Sequence, residues 1–130
     1  MVKQVAPTRK RGSYAPEATR KAILDAALRL FSQRGFHATT VQAITNGARL
    51  SKGAFYHHFV SKEHVLQEIH AEYAVEMVAG AREVMADTSL TPIEQLRSII
   101  TRAVIALGRH HLHVAVFYQE LRFLDRKSVV

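Results

Sequence analysis

Ten residues near the middle of the chain, LSKGAFYHHF from Leu50 to Phe59, crowd together the side chains most able to do chemistry. Two adjacent histidines suggest a metal, but on a helix His57 and His58 point about 100° apart, which is wrong for gripping one ion together. A nucleophile is no better supported. The chain has no cysteine and no nucleophile elbow, phosphate loop or metal-helix motif, so enzyme chemistry has no anchor here. A surface that reads a polyanion fits the residue types. Ser51, Gly53 and Ala54 are small enough to let a helix start approach a backbone or base edge. Lys52 and the positive end of the helix dipole favour phosphate. A helix entering a DNA major groove reads bases with its N-terminal residues, which here are Ser51, Lys52, Gly53, Ala54 and then His57. Phe55 and Phe59, four apart, anchor the helix, and Tyr56 lies one step from that buried side. Gly53 as a packing glycine and Tyr56 as a core residue with a wet hydroxyl are the plainer alternatives.

A second cluster lies towards the C-terminus, where Arg109, His110, His111 and His113 precede VAVFYQELRFL. Arg109, His110, His113 and Phe117 are candidates to line a pocket for an anionic or lipophilic compound. His110 and His113 share a helix face and could hold a metal, although ordinary surface histidines explain them more simply.

These groups need elements to position them. The segment up to residue 15 has the composition of a flexible basic arm. Up to Lys21 there are six Lys or Arg against the single acid Glu17, with Arg9, Lys10 and Arg11 in a row, as expected of a phosphate-tracking tail. The net charge of +7 points to acidic partners in the same way. From Pro16 the spacing of Ile23, Ala26, Ala27, Leu30 and Phe31 predicts a helix that Gly35 stops. Thr39 or Thr40 caps a short helix burying Val41 and Ile44, and Ser51 caps a second one, which together make a helix-turn-helix over residues 16–60.

Ser61 opens a longer helix, running to about Met85, with Val65, Leu66, Ile69, Tyr73 and Met77 inward. Thr91 and Pro92 start the next, with Ile93, Leu96, Ile99, Ile100, Ala103, Val104 and Leu107 inward. After Gly108 a last helix carries Val114, Phe117, Tyr118, Leu121 and Leu124. No strand alternation occurs, so the fold class is all-α. The three amphipathic helices over 61–130 expose more apolar surface than they can cover for each other, and we expect further C-terminal helices or a second subunit to cover it. No apolar run approaches the roughly 20 residues of a membrane helix. The basic N-terminus lacks the apolar stretch of a secretory signal, so a soluble, cytoplasmic protein is expected.

The segments RKAILDAALRLFSQRGFHATTVQAI and LSKGAFYHHFVSKEHVL closely resemble the DNA-binding domain of the TetR family of bacterial transcriptional regulators. That resemblance implies a homodimer, usually a repressor, on a palindromic double-stranded operator. It also implies a helical C-terminal domain, begun by residues 61–130, that holds a small-molecule effector and the dimer interface. Thr40, Ser51, Lys52, Gly53, Tyr56, His57 and Lys62 match its DNA-contacting positions, with Tyr56 and Lys62 at phosphate-contacting ones. The Arg9–Arg11 arm would reach backbone or minor groove. The effector half loosely resembles regulators of lipid or steroid catabolism, which implies a lipophilic compound or an acyl-thioester. An activator, or an all-helical interaction module with a basic arm, remains the alternative. Two positions depart from the family pattern: Thr45 stands where alanine is usual and Arg49 where glycine is usual. A left-handed backbone at Arg49 would cost about 1 kcal/mol, unless the nearby Gly47 takes over the turn.

Overall fold

The computed structural model describes residues 15–127; the expected contacts of Arg9, Lys10 and Arg11 lie outside the described residues. Six helices and no strand are found among the described residues: α1 Pro16–Arg34, α2 Val41–Ala48, α3 Lys52–His58, α4 Lys62–Ala86, α5 Pro92–Arg109 and α6 His111–Lys127. No described helix is long and apolar enough to cross a membrane.

Local sequence explains where most helices start and stop. Proline occupies the first turn of α1, and Gly35, at φ 84°, ends it by donating its N–H to the Phe31 carbonyl. Of the two threonines that follow, Thr40 is the cap of α2, its hydroxyl accepting the Ala43 N–H at 3.1 Å. Thr39 is instead fully buried and donates its hydroxyl to the Gly35 carbonyl at 2.8 Å. Ser51 and Ser61 cap α3 and α4 by accepting the N–H groups of Ala54 and His64. Thr91 and Glu94 form a reciprocal capping box on α5.

α1 is the central element, packed against α2, α3, α4 and α6. Its Ile23, Ala27 and Phe31 have no exposed surface, and they meet Ile44, Phe55, Phe59, Val65 and Ile69 in one core. Burial of this kind is worth roughly 1.5–3 kcal/mol per large side chain, which is what holds α2 and α3 against α1.

The helices after residue 61 differ from the expected pattern in two ways. On α6 the expected inward residues Phe117 and Tyr118 are 51% and 63% exposed, whereas Val116 is fully buried. The seam with α1 runs about one residue off the apolar stripe because it includes a polar member: Gln119 donates to the Ser32 carbonyl at 3.4 Å. On α5 no residue is buried. Ile93, Leu96, Ile100, Val104 and Leu107, expected inward, instead stay exposed, because no described element packs over this face of α5.

Candidate nucleic-acid interface

α2 and α3 are joined by a three-residue turn, Arg49, Leu50 and Ser51, whose key is Arg49. Its φ of 56° and ψ of 44° put it in the left-handed region, as the only non-glycine there among the described residues. The Arg49 N–H reaches the Asn46 carbonyl at 3.2 Å, and the Leu50 N–H reaches the Thr45 carbonyl at 2.9 Å. This is the hydrogen-bond closure of a glycine-type C-cap carried out by arginine. Gly47 stays helical, and a Cβ there would lie 3.6 Å from the Ala26 Cβ, an ordinary contact. The turn is therefore built at Arg49, and Gly47 does not replace it. Thr45, the other departure, is 1% exposed and satisfies its hydroxyl by donating to the Gln42 carbonyl at 3.0 Å.

α3 is pinned by Phe55 and Phe59, whose rings lie 5.9 Å apart on its buried side. The Arg20 guanidinium of α1 sits 5.8 Å from the Phe59 ring centre. With that side fixed, Ser51, Lys52, Gly53, Tyr56 and His57 are exposed and Ala54 is half-buried. Tyr56 is more than half exposed, so it is not a core residue. A Cβ on Gly53 would meet only the Ser51 hydroxyl oxygen at 3.7 Å, so no neighbour in the fold requires glycine there. The sequence-derived set 51–54, 56 and 57 thus forms one exposed surface, and Thr40 is exposed at the start of α2.

Lys62 is placed differently. It is the first residue of α4, and its ammonium donates to the carbonyls of Phe36 at 2.9 Å, His37 at 3.3 Å and Thr39 at 2.9 Å. It also lies 4.5 Å from the centre of the Phe36 ring. α1 is tied to α4 by a second set of charges, Arg20 with Glu68 and, at 2.7 Å, with Glu72. These carboxylates hold the guanidinium charged, raising its pKa further.

The four effector candidates span two adjoining places that His110 joins, its ring lying 5.1 Å from that of His113 and 5.4 Å from that of Tyr73. Arg109 and His110 line a groove of about 510 Å³ between α4 and α5, together with Glu76, Met77, Glu83 and Arg102. His110 approaches the Glu76 carboxylate at 3.2 Å. His113 and Phe117 belong to the seam between α4 and α6, where His113 stacks on Tyr73 and Phe117 meets His70 edge-on. Burial, reinforced by the neighbouring His110, pulls the His113 imidazole below its ordinary pKa. Burial does the same to His70, whose Nε2 is enclosed without a hydrogen-bond partner. Sequence reasoning missed His70 and Glu76. Their spacing from Tyr73, three residues to either side, was the available signal.

Residues 23–69 match the family described as bacterial regulatory proteins, tetR family. The chain is similar to the helix-turn-helix-type transcriptional repressor KstR2 of Mycobacterium tuberculosis, 32% identical over 105 residues that span 81% of this chain and 52% of that protein. It is also similar to the transcriptional regulator UidR of Escherichia coli, 32% identical over 82% of this chain and 54% of the relative. The structure of the ketosteroid transcriptional regulator KstR2 of M. tuberculosis superimposes with a TM-score of 0.72 at 32% identity, covering 82% of this chain and 54% of that one. A regulator from Aquifex aeolicus does so at 0.67 and 33%, covering 77% and 54%. The chain spans about half the length of the curated relatives it matches. Residues 23–69, with their buried phenylalanine anchors and exposed 51–57 surface, are thus the part of the chain that matches the tetR family of bacterial regulatory proteins.

Proposed function

We propose that this protein is a sequence-specific DNA-binding transcriptional regulator, acting as a repressor on a palindromic operator. The observation that carries the reading is the exposed side of α3, where Lys52, Gly53, Tyr56 and His57 lie at the surface above the buried Phe55 and Phe59. In this reading Ser51, Lys52, Gly53, Ala54 and His57 face base edges, and the hydroxyls of Thr40 and Tyr56 donate to phosphate oxygens. Arg9, Lys10 and Arg11 supply sequence-independent attraction from the arm. The names of the similar proteins support repression.

The finer parts of the proposal concern the second half. The complete protein is a homodimer that sets two α3 helices roughly 34–36 Å apart, one per successive major groove. A lipophilic effector, an acyl-thioester among the candidates, enters the groove between α4 and α5. The apolar walls Met77, Ile99, Ala103 and Ile105, with Arg102 and Arg109 at hand for an acidic group, support that chemistry. Selection of bound duplexes from a random pool, followed by affinity measured over a range of salt, tests the core of the proposal. Enrichment of a palindrome with a steep salt slope supports it. Affinity without sequence enrichment would instead favour an interaction module with a basic arm.

A further inference from the structure

We infer that Arg49, in the turn between α2 and α3, is a further DNA contact of the reading head, its guanidinium pairing with a backbone phosphate beside the point where α3 enters the groove. Inside the fold this position gives a side chain a cost and no use. At φ 56° and ψ 44° the backbone is left-handed, where a Cβ crowds the following carbonyl oxygen and glycine is the unstrained choice. The bonds that close the turn run from the Arg49 N–H to the Asn46 carbonyl and from the Leu50 N–H to the Thr45 carbonyl. Both use main-chain atoms alone, so neither needs an arginine. Arg49 is exposed, and among the described residues its guanidinium has no hydrogen-bond or ion-pair partner. Strain kept at a residue that the fold does not use is a mark of a role outside the fold.

Its place in the chain supplies that role. Arg49 stands two residues before Ser51, the cap of α3, so the two Cα atoms are at most about 7 Å apart. The segment from Val41 to His58 holds two Lys or Arg, Arg49 and Lys52, and no Asp or Glu, so no acid within the unit neutralises this charge. Arginine also presents a planar fork of N–H groups, which matches two oxygens of one phosphate. The inference rests on the DNA-binding reading above and adds to it a contact made from the turn, where the family resemblance leads one to expect glycine and no side chain at all.

The test uses the whole chain as wild type, Arg49→Gly, Arg49→Ala and Arg49→Lys, with Arg97→Ala on α5 as the control for net charge. Affinity for a duplex enriched from a random pool is measured across salt, and urea midpoints report folding. One lost phosphate contact lowers the slope of log affinity against log salt by about one. A variant's deficit against wild type then shrinks roughly 3.5-fold as salt rises from about 50 to about 200 mM. We expect this loss in the glycine and alanine variants, and the wild-type slope in Arg49→Lys and Arg97→Ala. Arg49→Gly should bind more weakly while its urea midpoint is no lower than that of wild type, a combination that loss of structure cannot produce. A wild-type slope in the glycine and alanine variants, or the same drop in Arg49→Lys or Arg97→Ala, would overturn the inference and leave the DNA-binding reading standing. Absence of duplex binding by the wild-type chain would overturn both.

Discussion

Arg49 is the residue at which the physical reading can be tested most sharply. Its left-handed backbone, φ 56° and ψ 44°, brings Cβ too close to the following carbonyl oxygen, a cost of about 1–2 kcal/mol for a residue with a side chain. Arg49→Gly removes that cost. Glycine also gives the unfolded chain more freedom, which takes back about 0.4–1 kcal/mol. The side chain is exposed, so little packing is lost with it. The balance is a gain between near zero and about 1.6 kcal/mol, or a few degrees in melting temperature for a chain of this size. Arg49→Ala is the control: it loses the same charge and keeps the strain, so it should lie about 1 kcal/mol below the glycine variant. Urea midpoints at constant slope measure both differences. A glycine variant no more stable than the alanine variant would refute the argument, because the turn would then not be strained at Arg49.

Other expectations follow from single contacts. Ser51→Ala removes the α3 cap and should cost about 1 kcal/mol of stability in thermal melts, and Thr40→Ala should do the same for α2. Lys52→Ala and His57→Ala should change which duplex is enriched from a random pool, while Tyr56→Phe should weaken all duplexes alike and leave the preferred sequence intact. Arg20→Gln breaks the ties to Glu68 and Glu72; since these groups are partly exposed, the loss should be only about 1 kcal/mol in denaturant titration. His70 and His113 have folded pKa values below their ordinary 6.5, so below pH 6.5 the unfolded chain takes up protons that the folded chain refuses. Stability should therefore fall as pH drops from about 6.5, and His70→Phe should flatten that fall in melts run across pH.

The reading head was legible because its signals are local. Cap residues such as Ser51 and Ser61 satisfy backbone groups three positions on, and Phe55 with Phe59 marks a buried side by spacing alone. Lys62 was not legible in that way. Its partners at 36, 37 and 39 lie more than twenty residues back, and nothing in the local pattern distinguishes a lysine turned onto carbonyls from one turned to solvent. The inward side of α6 failed for a related reason. Apolar periodicity selects Phe117, Tyr118 and Leu121, but the helix docks on α1 through Val116 and the polar Gln119. A seam that recruits a glutamine escapes a rule that counts hydrocarbons.

α4 is where the two halves of the chain meet. Its first turns belong to the reading head: Lys62 holds the α1–α2 loop, Val65 and Ile69 complete the core, and Glu68 and Glu72 hold Arg20. Its middle carries His70 and Tyr73 against α6, and its last turns form one wall of the groove. At 25 residues it is about 37 Å long at 1.5 Å per residue, so a tilt at its groove end also displaces its first turns. A ligand in that groove can act at α3 only by favouring one tilt of α4 over another, and by no more than its difference in affinity for the two. The groove end is the softer one, with α5 burying none of its residues, while Val65 and Ile69 bury the first turns of α4 in the core. In the ligand-responsive regulator proposed above, change should therefore begin as movement of α5 against α4 and reach α2 and α3 as a rigid-body shift.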